Sequence, residues 1–321
     1  KLDLVIKTKL DSNDEKKNIL MKAYGENSSE VTDSIIELGN LYNDIAEYDK
    51  AMKCYQEALP RYEKSDDKIA DVARTYCKVG EIYEKQSEYD KSMEYLEKAL
   101  PMQLKEFGTE EHVDVGETYV RMGWTCSRMS KYDLAMEYCM KSLKIRLKVL
   151  DEGHVDVGGS YDRIGTVFWR QNKYDEALEY YNKSLDIYIN KLGKDHTSVA
   201  TSYNNIACVY ESQNKYDEAL EYYNKALDID INKLGKDHTL VATTYNNIAI
   251  VYDKQNKYDE ALEYYNKSLD IRINKLGKDH TNVAQSYNNI ANVYNKQNKY
   301  DEALEYYNKS LDIYINKLGK D

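Results

Sequence analysis

The pair Tyr-Asp recurs at Tyr48-Asp49, Tyr89-Asp90, Tyr132-Asp133, Tyr174-Asp175, Tyr216-Asp217, Tyr258-Asp259 and Tyr300-Asp301, at separations of 41, 43, 42, 42, 42 and 42 residues. A chain that repeats itself at a fixed period buries the apolar face of each unit on copies of itself. The period therefore predicts a stacked array instead of the two globular domains that 321 residues would otherwise suggest.

Two helical patterns alternate within a unit. In the fifth, Val199, Tyr203, Ile206, Ala207 and Tyr210 recur at steps of three and four. After the polar break Gln213-Asn214-Lys215, a second stripe runs through Ala219, Leu220, Tyr223, Leu227 and Ile231. Leu234-Gly235 offers a glycine for the left-handed conformation that closes a helix, and Asp237-His238-Thr239 offers capping side chains to the next one. Small residues mark where the two helices of a unit approach: Gly39, Gly80, Gly123, Gly165, Ala207, Ala249 and Ala291 on the first, Ala51, Ser92, Ala135, Ala177, Ala219, Ala261 and Ala303 on the second. The expected fold class is all-α, built from antiparallel helix pairs.

Composition removes several functions. With 42% hydrophobic residues, 31% charged residues and only 2 prolines, the chain suits a folded, helix-rich protein. Its 33 tyrosines against 2 phenylalanines and 2 tryptophans suit half-buried seams, where a ring with a polar tip is tolerated. A net charge of −11 argues against nucleic acid or an anionic membrane as partner. No apolar run approaches the roughly 20 residues that span a bilayer, and no signal peptide opens the sequence, so a cytoplasmic protein without membrane insertion is expected.

The five cysteines (Cys54, Cys77, Cys126, Cys139, Cys208) are odd in number and lack metal-ligand spacing, which fits reduced packing residues. The histidines His112, His154, His196, His238 and His280 fall one per linker, a full repeat apart, and are expected as helix caps, not metal ligands. Asn182-Lys183-Ser184 and its copies at Asn266 and Asn308 fit the glycosylation pattern, but their serines fall at packed small-residue positions. No phosphate loop, nucleophile elbow or paired-carboxylate motif is present. Neither enzymatic activity, nor a metal, nor a cofactor is expected.

The order aromatic, Leu-Gly, Tyr, Ala, aromatic, Ala is met by Tyr203, Ile206-Ala207, Tyr210, Ala219, Tyr223 and Ala226, and on this pattern residues 31–321 resemble the tetratricopeptide repeat family. A period of 42 in place of about 34, with Gln-Asn-Lys-Tyr and Leu-Gly-Lys-Asp-His segments, is similar to the kinesin light chain subclass. The resemblance implies a right-handed superhelical solenoid of seven repeats, at about 31–68, 69–112, 113–154, 155–196, 197–238, 239–280 and 281–321. Residues 1–30 read as the end of a preceding repeat, with 14–24 as its last helix, plus an uncertain N-terminal segment. The stop at Gly319-Lys320-Asp321, where another repeat would begin, reads as a sign of a longer chain.

The family's first helices line a concave groove, and the resemblance puts Lys78 and Lys85 of the second unit, Arg121, Trp124 and Arg128 of the third, and Arg163 and Arg170 of the fourth on that face. Residues seven apart return to nearly the same azimuth, so each cation pair makes a basic edge, and successive edges are expected to align. The plainer alternative is a solvated face with intrahelical ion pairs. Glu81 with Lys85 and Glu117 with Arg121 have the required spacing, whereas Arg163 and Arg170 have no such partner. Trp124 stands where other units hold Glu81, Thr166, Cys208, Ile250 and Asn292, which suggests a binding anchor over a recurring core residue.

Asn205, Asn247 and Asn289 match groove asparagines that hold bound peptide backbone in kinesin light chains; alternatively they only bridge neighbouring repeats. Units five to seven are near copies. They differ at Thr201/Thr243/Gln285, Cys208/Ile250/Asn292, Glu211/Asp253/Asn295 and Ser212/Lys254/Lys296, positions that fall on one side of the first helix, read as the groove side. The expected function is a non-catalytic protein–protein interaction scaffold that binds an acidic peptide or partner segment, with a cargo adaptor like a kinesin light chain as its specific form. A structural array that self-associates through its solenoid ends, or the sensor arm of a larger regulatory protein, are the alternatives.

Overall fold

A computed structural model describes residues 2–25, 28–45 and 47–318. Among them there are fifteen α-helices, a short 3-10 turn at Asp66–Lys68 and no strand. Two compact units divide after Glu152. The N-terminal unit holds α1 (Leu2–Tyr24), α2 (Ser29–Asp44), α3 (Tyr48–Tyr62), α4 (Ile69–Lys85), α5 (Tyr89–Phe107), α6 (Val113–Arg128) and α7 (Tyr132–Val149). The C-terminal unit holds α8 (Val155–Arg170), α9 (Tyr174–Leu192), α10 (Thr197–Ser212), α11 (Tyr216–Leu234), α12 (Thr239–Lys254), α13 (Tyr258–Leu276), α14 (Thr281–Lys296) and α15 (Tyr300–Leu318). Within each unit the chain is a solenoid: a first helix packs on the second helix of its own pair, and that second helix packs on the next first helix.

Every Tyr-Asp pair begins a second helix, with its aspartate in the first turn, where a negative charge meets the positive end of the helix dipole. The turn before it is made by one residue in the left-handed region: Ser87, Ser130, Asn172, Asn214, Asn256 and Asn298, with φ of 59° to 64°. Asparagine takes this conformation at lower cost than most residues. In the C-terminal unit its side-chain oxygen also accepts from the tyrosine hydroxyl two residues on, as Asn172 does from Tyr174 and Asn214 from Tyr216, both at 2.9 Å. The polar break in the sequence is thus a turn with a specific requirement at one residue.

The linker between units differs from expectation in detail. Gly193, Gly235 and Gly277 do have positive φ, from 85° to 88°, but their ψ of 153° to 154° places them in the extended positive-φ region and not in the left-handed helical one. Both regions favour glycine, and the observed one is essentially closed to other residues. The histidine that follows caps the next helix: in His112, His154, His196, His238 and His280, Nδ1 accepts from the backbone N–H two residues on, at 3.1 to 3.2 Å.

The seam within a pair is as tight as its small residues imply. A methyl group added at Gly123 would lie 2.6 Å from Cys139 Sγ, and one at Gly165 would lie 2.8 Å from the Tyr181 ring. Ala207, Ala249, Ala219 and Ala261 are fully buried on the equivalent seams. The five cysteines are free thiols, and Ser184, Ser268 and Ser310 are buried at the packed small-residue positions. No helix among the described residues is long and apolar enough to cross a membrane, and none of their side chains cluster as a metal site would require.

Candidate peptide-binding site

In the N-terminal unit the cations of the first helices gather around one carboxylate. Glu81 of α4 is met by Lys85 at 3.0 Å, by Lys78 at 3.6 Å and by the Arg121 guanidinium of α6 at 3.0 Å. Asn43 of α2 donates to it from the other side at 3.0 Å, and Lys85 in turn donates to Asn43. Burial opposes ionisation of Glu81, but Arg121 and Lys78, with the hydrogen bonds from Lys85 and Asn43, outweigh it and hold the carboxyl at about 2. Arg121 also pairs with Glu117 at 3.1 Å, and Glu117 receives Arg146 of α7 at 2.5 Å. Four cations therefore share these two carboxylates, while Asp71 and Asp114 both hold Arg74, and Glu84 is a further negative charge acting on Arg121. Lys78 and Lys85 lie nearest solvent, with side chains 40% and 36% exposed, while Arg121 lies deeper at 21%.

A cleft of about 260 Å³ opens beside this cluster, between α4 and α6. Lys78 and Arg121 line it together with Arg74, Asp114 and Glu117, and its floor is Gln103, Cys77 and Thr118. Gln103, from α5, is 2% exposed; it accepts from Thr118 at 2.8 Å, and its amide nitrogen reaches only the Cys77 sulfur, at 3.9 Å.

Arg128 is an exposed residue, yet it is tied down. Its guanidinium lies over the Tyr89 and Trp124 rings, at 5.5 and 5.9 Å, and Nε donates to the Tyr89 hydroxyl at 3.0 Å. Trp124 is half-buried, and its position has a packing history in the other repeats. The equivalent residues Asn40, Thr166, Cys208 and Asn292 bond the hydroxyl of a tyrosine on their own second helix: Tyr55, Tyr181, Tyr223 and Tyr307. In Trp124's own pair that second-helix position is Cys139. The large ring has moved from one helix to the other, so its size alone is no evidence of a ligand.

The C-terminal unit treats the same face differently. Arg163 is not unopposed as the sequence suggested, because Asp162 beside it is a charge partner. Asp162 also accepts from Asn205 Nδ2 of α10, at 2.7 Å. Arg170 lies over the Trp169 ring at 5.8 Å, and its Nε is buried without a hydrogen-bond partner. Asn289 Nδ2 donates to Asn246 Oδ1 at 2.9 Å. Asn205 and Asn289 thus each bridge one first helix to the next, with one amide hydrogen left over; Asn247 is half-buried at the same position of α12.

Two of the variable positions read as facing a ligand also bridge repeats: Lys254 pairs with Glu211 at 2.9 Å, and Lys296 with Asp253 at 2.7 Å. A third, Cys208 and Asn292, turns to the tyrosine of its own second helix. The fourth, at Thr201, Thr243 and Gln285, is exposed.

The sequence profile described as tetratricopeptide repeat matches residues 71–148, 156–232, 216–274 and 240–316, and a second profile of the same description matches residues 32–63. No curated protein matches the sequence. Among solved structures, a kinesin light chain candidate of nearly identical TPR-like repeats from Podospora anserina is 19% identical, covers 64% of this chain and 98% of its own, and superposes with a TM-score of 0.53. A Rap protein complexed with competence and sporulation factor is 16% identical over 100% of this chain and 88% of its own, with a TM-score of 0.66. A signal transduction ATPase with a tetratricopeptide repeat sensor from Pyrococcus horikoshii is 16% identical, with a TM-score of 0.61; the match spans 95% of this chain but 45% of that larger one. At these identities the likeness is one of fold.

Proposed function

The chain belongs to the tetratricopeptide repeat family, and from that premise we propose a non-catalytic scaffold that binds an acidic peptide or partner segment along the first helices of its N-terminal unit. The observation that carries this reading is the cluster at Glu81, where Lys78, Lys85 and Arg121 converge on one carboxylate. Lys78 and Lys85 present a partly exposed cationic edge on a protein of net charge −11, next to a cleft wide enough for a side chain. Partner carboxylates would meet Lys78, Lys85 and Arg128, with Arg121 and Trp124 behind them. In the C-terminal unit, Arg163 and Arg170 are the further cations of the proposal. Asn205, Asn247 and Asn289 would offer a spare amide hydrogen to peptide backbone. In its specific form this is the arm of an adaptor similar to a kinesin light chain.

The test is fluorescence anisotropy with a labelled peptide of alternating glutamate and serine. Reversing both exposed cations, Lys78→Glu with Lys85→Glu, should weaken binding about tenfold or more, equivalent to about 1.4 kcal/mol. Added salt should weaken the wild type in the same direction. Equal affinities for the two proteins, or equal affinity for a glutamine–serine peptide, would remove the proposal.

A further inference from the structure

One position of the second helix departs from the repeat even among near copies. It is the fifteenth residue, counted from the tyrosine of Tyr-Asp: tyrosine at 188 and 314, but Asp230 in α11 and Arg272 in α13. In the N-terminal unit the same position forms the floor of the space between consecutive first helices. Tyr62 lines a cleft of about 420 Å³ with residues of α2 and α4, and Gln103 lines the cleft between α4 and α6.

Most of these side chains find a partner on a first helix. Tyr62 donates to Asp33, Gln103 accepts from Thr118, and Arg146 donates to Glu117. Arg272 donates to the Asn282 carbonyl at 3.2 Å and to the Ser286 hydroxyl at 2.8 Å.

Asp230 does not. It is 2% exposed, and its Oδ1 is buried with no hydrogen-bond donor. The residues that correspond to Gln103's two neighbours are Asn204 of α10 and Thr244 of α12, and they bond each other across the junction at 3.3 and 3.4 Å. Burial alone raises the Asp230 carboxyl, to about 6, with no neighbouring charge to stabilise it. A buried carboxylate without a counter-charge is strongly unfavourable. The scaffold does not need one here, since the same position accepts tyrosine in α9 and α15.

We infer that Asp230 is the floor of a binding subsite between α10 and α12 for one cationic side chain, lysine or arginine, of a bound polypeptide. The cation supplies the counter-charge that the protein lacks, and the Asn204 and Thr244 side-chain oxygens can accept its remaining N–H groups. This subsite lies in the C-terminal unit and takes the charge opposite to that sought by the Glu81 cluster, so it stands whether or not the acidic-partner reading does. If both hold, the partner segment is charge-patterned, with acidic residues and at least one basic one.

The experiment is an NMR titration of the full chain, labelled at aspartate side-chain carboxyls, with N-acetyl-arginine methylamide as probe. The Asp230 signal is identified by its loss in Asp230→Asn, and independently in Asp230→Tyr, which carries the side chain of α9 and α15 and should fold. The expected result is a saturable shift of the Asp230 signal, absent with the neutral N-acetyl-glutamine methylamide. An Asp230 signal that moves no more than those of the exposed Asp217 and Asp259, or that responds equally to both probes, overturns the assignment.

Discussion

The two units join their first helices in contrasting ways. In the C-terminal unit the links are one to one: Lys254 to Glu211, Lys296 to Asp253, Asn205 to Asp162, Asn289 to Asn246. In the N-terminal unit the link is many to one, with Lys78, Lys85 and Arg121 on Glu81 and both Arg121 and Arg146 on Glu117. One-to-one links suit a face that holds repeats in register. A carboxylate shared by several cations also holds repeats together, and in the proposed function its two outer lysines would in addition meet carboxylates of a partner.

The largest effect should come from breaking the shared cluster. Arg121→Glu would place a third carboxylate against Glu81 and Glu117 at a largely buried site, and should lower stability by about 3 kcal/mol or more, read as an earlier thermal transition of the N-terminal unit. For this reason Arg121 is a poor probe of binding, and the exposed lysines are better ones.

The units should next differ in their response to pH. Glu81 ionises in the folded protein at about 2, below its ordinary 4.5. The stability it contributes is complete above that ordinary value and is lost as pH falls towards 2. Asp230 is shifted the other way, from 3.8 to about 6, so its ionised form costs stability above about 6, and the cost fades as pH falls below it. Lowering pH from 7 to 5 should therefore stabilise the C-terminal unit by about 1 kcal/mol and leave the Glu81 cluster intact. Asp230→Asn should abolish that gain in chemical denaturation curves.

The smallest effect should follow Lys254→Ala. Its side chain is 41% exposed in a single pair with Glu211, so the loss should stay below about 1 kcal/mol. A loss as large as that of Arg121→Glu would erase the distinction between one-to-one and shared links.

Much of the fold was legible because it is local. Tyr-Asp marks the start of each second helix, the glycine–alanine seam marks the close approach, and the linker histidines cap as their position before each helix suggested. The site was less legible because its contacts run from repeat to repeat. Spacing along one helix reveals Glu81 with Lys85, but Arg121 lies forty residues from Glu81 in sequence and reaches it only after the pairs stack. The same offset hid the partners of Lys254 and Lys296, whose variation looked like a free surface. The size of Trp124 has a second source that one helix alone does not show: its second-helix neighbour is Cys139, where five other pairs carry tyrosine. Asp230 left one signal, its divergence from Tyr188 and Tyr314 in nearly identical helices.

Hydrogen exchange of the full chain with the glutamate–serine peptide tests the central claim most directly. Slowed exchange should be strongest over α4 and α6 around Lys78, Lys85 and Arg121, and should disappear with Lys78→Glu and Lys85→Glu. Protection that appears instead over α10 to α14, or that survives the double reversal, would contradict the account.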